Sequence, residues 1–262
     1  MLPRDRGGVK PAERAYNRPM RPLLPAVRRL AFFLLLGGAV LLPPPASPDD
    51  DALAALPPLP SGALRVYLVR HGQALSNLDP VPDLPPAELD HLTALGTRQA
   101  EAVGGALAGR DVTLVLTSPA SRARETAEGI AQVLGLSPPA VEPRLRPLEL
   151  GRGTDGRKLT WKDRAAEWEA GRDPSPPEGE SMERVGDRLD LLVRALARSR
   201  RGTGVVLVAH GEVLAAYLGH VRGTLAPKRY PPGLANGSIT VVDVAPTGAA
   251  TIRLENQVPA AP

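Results

Sequence analysis

Three short, almost wholly apolar runs constrain this chain most: residues 64–69 (LRVYLV), 112–116 (VTLVL) and 204–209 (GVVLVA). Each is rich in β-branched side chains and lacks polar alternation, the pattern of a strand buried on both faces. The stretches between them have helical spacing. Leu95, Ala100, Val103 and Leu107 share a face over residues 93–107, with Thr93 as the candidate cap. Ser118 and Pro119 read as the N-cap and first residue of a helix that runs to about Leu134 and stops at Gly135. Residues 181–199 carry Met182, Val185, Leu189, Leu192, Val193 and Leu196 on one face, and a further helix follows over 211–221. Residues 239–244 and 251–254 close the chain as two strands around a turn at 246–248. The predicted fold is α/β: a three-layer α/β/α sandwich with a mostly parallel central sheet.

In such a sheet, ligands sit beyond the carboxyl ends of the strands. The first run leads into Arg70-His71-Gly72 and the third into His210-Gly211. The second leads into Thr117-Ser118-Pro119, with Arg122 one helical turn later. Two arginines and two histidines, distant in sequence, thus arrive at one sheet edge. The chain has 4 histidines, and two of them directly follow a buried strand and precede glycine. Taken singly, each residue has an ordinary reading as a structural hydrogen-bonder, a solvated cation or a turn glycine. Together they describe a site for an anion, because a guanidinium fork matches phosphate bidentately.

Composition narrows the alternatives. With 0 cysteines there is no disulfide framework, thiolate zinc site or cysteine nucleophile. Aromatic residues are 3% of the chain, too few for base-stacking platforms, so no nucleic-acid partner is expected. Much of the basic excess lies ahead of residue 30, where it reads as a targeting leader. Residues 30–42 (LAFFLLLGGAVLL) follow Arg28-Arg29 and are short for a membrane span, which needs about 20 apolar residues. Residues 1–46 are therefore expected to be a signal peptide cleaved near Ala46 or an uncleaved anchor that tethers the protein to a membrane, with Met20 an alternative start. Export to a periplasm or the exterior follows from either reading. Residues 47–62, rich in Pro, Ala and Asp, are expected to form a linker rather than core, and residues 63–258 the catalytic domain.

The strand-end residues also carry a resemblance. Val69-Arg70-His71-Gly72 is similar to the signature of the histidine phosphatase (phosphoglycerate-mutase-like) superfamily, branch 1 type. Further blocks follow in that family's order: Asn77; Leu92-Thr93 with Gly96 and Gln99-Ala100; Ser118-Pro119 with Arg122-Ala123 and Thr126-Ala127; Gly179-Glu180-Ser181; and Val208 with His210-Gly211. Asn236 to Ser238 resembles the family's late N-x-S segment and reads as a turn with a lesser role near the pocket.

The resemblance implies a metal-independent phosphomonoester hydrolase that needs no cofactor and acts through a phosphohistidine on His71. A backbone carbonyl, Gly72 or a near neighbour, would orient the His71 ring. Arg70, Arg122, His210, Asn77 and the backbone of Gly211 would hold the phosphoryl group. The family draws its proton donor from an L-x-E pattern followed four residues later by glycine, and here the chain departs. Pro147 occupies the acid's place if Gly151 is the anchor, whereas Gly153 as the anchor selects Glu149. Glu149 is the expected acid and Asp155 the reserve. Gln73 is a second departure, where many members carry Glu. Residues 152–177 are expected to cap the pocket, their charge serving either a polyanionic phosphoester or a solvated helix surface. The substrate would be a phosphorylated small molecule or an envelope phosphoester. A mutase-type phosphotransferase, a phosphoester-binding module without turnover and a tethered interaction protein are the rival readings.

Overall fold

The computed structural model describes residues 50–224 and 233–260. The expected leader and the first residues of the expected linker lie outside the described residues. Among the described residues no helix is long and apolar enough to cross a membrane.

In chain order the elements are α1 (Asp50–Ala54), β1 (Leu64–Arg70), α2 (Pro86–Leu89), α3 (Ala94–Leu107), β2 (Val112–Thr117), α4 (Ser121–Leu134), β3 (Ala140–Val141), α5 (Trp161–Glu169), α6 (Met182–Ser199), β4 (Gly204–Ala209), α7 (Gly211–Arg222), β5 (Ile239–Val244) and β6 (Ala250–Gln257). They form a 6-stranded sheet in the order β3-β2-β4-β1-β5-β6. The first four strands in that order are mutually parallel. β5 runs antiparallel to β1, and β6 antiparallel to β5.

Alternation along the strands feeds two cores. Leu64, Val66 and Leu68 of β1 and Val205 and Leu207 of β4 join Val185, Leu189 and Leu192 of α6 and Leu214 of α7. Tyr67 and Val69, with Val206 and Val208, join Val103 and Leu107 of α3 and Ala127 and Ile130 of α4. The sheet is therefore covered on both faces, as the unbroken apolar runs predict. Leu189 is wholly buried, and truncation of such a leucine to alanine costs about 2–5 kcal/mol.

Caps fix the helix starts. Thr93 accepts from the Gly96 N–H at 3.1 Å, and Ser181 from the Arg184 N–H at 3.2 Å. The expected start of α4 is corrected. The helix begins at Ser121, with Ala120 rather than Ser118 at the N-cap. The Ser118 hydroxyl is engaged elsewhere, and the Asp90 carboxylate accepts from the Ser121 N–H at 2.7 Å.

The expectation of a linker excluded from the core is corrected as well. Leu53 of α1 is buried in the α3/α4 core. Arg110 Nη1 donates to the Leu53 carbonyl at 2.7 Å, and Arg65 Nη2 to the Pro57 carbonyl at 2.8 Å. Prolines limit regular structure in this segment but leave its carbonyls free to be strapped down by arginine. β3, only 2 residues long and exposed, is too short to leave a periodic signal.

Candidate active site

β1 and β4 lie side by side with Arg70 opposite Ala209, so the residues that follow emerge together. The His71 N–H donates to the Ala209 carbonyl at 3.0 Å, and the Ser118 N–H to the Val208 carbonyl at 3.0 Å. The chain leaving β1 leads to α3 on one face, whereas the chain leaving β4 enters α7 on the other. Such divergence opens a crevice at the strand ends. His71 and His210 stand in it with ring centroids 5.2 Å apart, both almost wholly buried.

Close backbone approach locks the His71 loop against α3. A Cβ on Gly96 would sit 2.1 Å from the Gln73 carbonyl oxygen, and one on Gly72 would sit 2.4 Å from the Gly96 carbonyl oxygen. Only glycine fits either place. Asn236 donates to the His71 carbonyl at 3.0 Å and to Asn77 Oδ1 at 3.2 Å. The Gly237 N–H donates to the Arg70 carbonyl at 3.1 Å. The late Asn236–Gly237 turn thus braces the loop from the far end of the chain.

Hydrogen bonding selects the tautomers. His71 Nδ1 lies 2.8 Å from the Gly72 carbonyl, which can only accept, so Nδ1 carries the proton. Nε2 is then a lone pair, and Arg122 Nε donates to it at 3.1 Å. Burial above all, reinforced by Arg122 and Arg70, pushes the His71 pKa down to about 3, against opposing effects of the Gly72 carbonyl and Asp90. The ring is neutral at pH 7. His210 Nδ1 accepts from Arg122 Nη2 at 3.1 Å, and Nε2 faces the Ser118 hydroxyl at 2.8 Å. Burial, then His71 and Arg122, lower the His210 pKa well below its ordinary value.

Arg122 ties these groups together. Its Nε meets His71, its Nη2 meets His210, and its Nη1 forms a close ion pair with Asp90. Asp90 is absent from the residues expected from sequence, because a lone Asp ahead of a helix cap looks like a solvated turn residue. Arg70 Nη1 bonds the Leu234 carbonyl, and its side chain covers Gly211, whose Cβ would lie 3.4 Å from Arg70 Cδ. Four expected residues, Arg70, His71, Arg122 and His210, are thus brought together, with Gly211 beneath Arg70 and Asn77 joined to the His71 loop through Asn236.

The expected acid is placed differently. The Glu149 side chain is half exposed and takes Arg146 Nε at 3.3 Å, with no hydrogen bond or ion pair to His71, Arg122 or His210. Asp155 sits on an exposed turn and accepts from the Arg157 N–H at 3.0 Å. What fixes residues 144–149 is Arg188, which pairs with the buried Glu180 at 3.0 Å and bonds the carbonyls of Arg144, Arg146 and Pro147. In the segment expected to cap the pocket, the arginines are taken up by partners in the segment or directly beside it. Arg152 pairs with Glu178, Arg157 with Asp163 and Arg172 with Glu167, while Arg164 stacks on Trp168 at 5.1 Å. Of the two readings for that charge, this favours helix surface over a polyanion-binding patch. Among the described residues no cluster of three His, Asp or Glu side chains is placed to hold a metal ion.

Comparisons with known proteins agree with this geometry. The family described as "Histidine phosphatase superfamily (branch 1)" matches residues 66–257. "Probable phosphoglycerate mutase GpmB" of Yersinia pestis (strain Pestoides F) is 31% identical over 191 residues, covering 69% of this chain and 85% of that protein. Among solved structures, a mycobacterial glucosyl-3-phosphoglycerate phosphatase is 28% identical with a TM-score of 0.57, over 74% of this chain and 99% of that one. A protein titled "Mycobacterial hydrolase 1" is 29% identical with a TM-score of 0.60, over 75% and 99% of the two chains. The chain belongs to the histidine phosphatase superfamily, branch 1.

Proposed function

We propose that this protein hydrolyses phosphomonoesters through a phosphohistidine on His71. The observation that carries the reading is the Nδ1 contact to the Gly72 carbonyl, which leaves the neutral Nε2 lone pair facing Arg122. Nε2 attacks phosphorus, the ester O–P bond breaks and the leaving oxygen takes a proton. Water then attacks phosphorus, the N–P bond breaks, and neutral imidazole and inorganic phosphate are released. Charge on the transferred group falls to Arg70 and Arg122, with Asn77 and the Gly211 N–H at the start of α7 as further donors. His210 joins as a cation once a phosphoryl dianion offsets its burial. Glu149 is assigned as the proton donor, which requires its carboxylate to leave Arg146.

The substrate class is a phosphorylated small molecule, in keeping with the phosphatase named among the solved relatives. Transfer to a second hydroxyl, as the name of the Yersinia relative suggests, is the alternative outcome for the same intermediate. The leader-like residues 1–46 support export of the domain, tested by fractionating cells that express the whole chain. The functional test is hydrolysis of para-nitrophenyl phosphate with chelator present, beside His71→Ala. Turnover that resists chelator and vanishes in the variant is the expected result. A folded wild type that binds phosphate but turns over no ester overturns the reading in favour of a binding module.

A further inference from the structure

Asp90 has no part in the chemistry above, yet among the described residues it makes the one ion pair of Arg122. We propose that Asp90 is a positioning residue, which aims the Nε/Nη2 edge of Arg122 at the space between His71 and His210 where a phosphoryl group is transferred. The inference rests on the phosphatase reading.

A guanidinium has a limited set of directions in which it can donate, and here they are divided. Nε and Nη2 point at the two imidazoles, each at 3.1 Å. Nη1, at the opposite side, is taken by one oxygen of Asp90. The other oxygen of Asp90 accepts from the Ser121 N–H at 2.7 Å, one residue before Arg122. One carboxylate therefore holds both the backbone at the start of α4 and the far end of the side chain it carries. An arginine left free loses about 2 kcal/mol of rotamer entropy on being ordered, so fixing it in advance favours bidentate contact with phosphate.

Asp90 is itself held. Its neighbour His91 pairs with Glu125 of α4, and the Leu92 N–H donates to the same carboxylate at 2.8 Å. The Leu75 N–H, just after the His71 loop, donates to the His91 carbonyl at 2.9 Å. The segment that carries Asp90 is thus laced both to the helix bearing Arg122 and to the loop bearing His71. The side chains of Arg122 and Asp90 are only 21% and 24% exposed, so the pair is less screened than a surface ion pair.

Two other roles are open to such a carboxylate, and they predict different results. A mere counter-charge, once removed, leaves Arg122 more attractive to an anion. A mere loop anchor costs activity whether or not Arg122 is present. A positioning residue weakens anion binding and turnover only through Arg122.

The experiment is a double-mutant cycle on the full domain, with Asp90→Ala, Arg122→Ala and the pair, read as kcat/KM for para-nitrophenyl phosphate and as calorimetric affinity for inorganic phosphate. His91→Ala serves as a control that loosens the same segment without touching Arg122, and melting temperatures confirm that each variant is folded. Asp90→Ala is expected to lower kcat/KM by about 10- to 100-fold, the scale of a misplaced catalytic group. It should also weaken phosphate binding. In the Arg122→Ala background the same substitution is expected to change either quantity by less than about twofold. Asp90→Asn, which keeps an acceptor oxygen, should fall between. Multiplicative losses in the double variant, tighter phosphate binding by Asp90→Ala, or a loss no greater than that of His91→Ala would each overturn the proposal. If the wild type binds phosphate but hydrolyses no ester, the phosphatase reading fails, and the binding arm of the cycle still decides the part of Asp90.

Discussion

Arg122 Nε lies 3.1 Å from His71 Nε2, so the guanidinium proposed to face the transferred group also holds the lone pair of the proposed nucleophile. This contact exists only for neutral imidazole, since a protonated ring would turn a second donor toward Arg122.

The first prediction concerns pH. The His71 pKa is about 3 in the folded state, below the ordinary value of 6.5, and that of His210 is also lowered. Between these values the unfolded chain binds more protons than the folded one, so stability rises with pH. The folded state should therefore lose stability progressively as pH falls from about 6.5 toward 3, by an amount on the order of a few kcal/mol. Urea denaturation at pH 7 and pH 4.5 measures this loss, and His71→Ala should reduce it. Nitrogen NMR of His71 should show the neutral Nδ1–H tautomer from pH 7 to pH 4.5.

A second prediction follows from Gly96, where an added Cβ would lie 2.1 Å from the Gln73 carbonyl oxygen. Neither backbone can yield without moving the loop that carries His71. Gly96→Ala should cost about 1–3 kcal/mol of stability, the range for overpacking. It should also lower kcat/KM by more than the loss of folded protein accounts for, as a melting curve and an active-site titration together would show.

Ser118 offers a third. Its hydroxyl is 2.8 Å from His210 Nε2 and is wholly buried. Ser118→Ala leaves that ring nitrogen without its partner, at a cost of about 1–3 kcal/mol. It also releases the constraint that turns Nδ1 toward Arg122. A fall in kcat larger than the change in KM is the expected signature, with the His210 Nε2–H tautomer kept by Arg122, and an unchanged kcat would contradict it.

The fourth concerns Glu149 and the segment it stands on. If Glu149 protonates the leaving oxygen, Glu149→Gln should slow alkyl phosphate hydrolysis far more than that of para-nitrophenyl phosphate, whose leaving group needs little help. Arg188→Ala breaks the buried pair with Glu180, but Glu180 keeps Arg146 at 2.8 Å, so the cost should stay below the about 3–5 kcal/mol of an orphaned buried charge. Because it frees the stretch on which Glu149 stands, it should also slow the alkyl ester more, but with a loss of stability that Glu149→Gln lacks. Comparison of the two substrates and of stability in the two variants separates proton donation from support.

The sheet was legible in the sequence because β1, β2 and β4 are covered on both sides, and such strands need continuous apolar runs that few other structures require. The histidines and arginines were legible because each follows one of those runs at a fixed offset. α1, α2 and α5 leave no such signal. Their short lengths, polar residues and prolines leave no periodicity, and Leu53 of α1 is in the core only because the α3/α4 face has room for it. At the start of α4 the local capping chemistry of Ser118-Pro119 is displaced by a tertiary contact between Ser118 and His210.

By itself, then, the sequence determined the fold class, the sheet edge that carries the chemistry and four of the side chains on it, since those depend on local pattern. Only the tertiary structure decided the tautomer of each imidazole, the engagement of all three Arg122 nitrogens and the partnership of that arginine with Asp90. It also decided that Glu149 rests on Arg146. The contacts of Arg122 and His210 join segments 32 to 92 residues apart, and a hydrogen bond is directional, so no pattern along the chain encodes them.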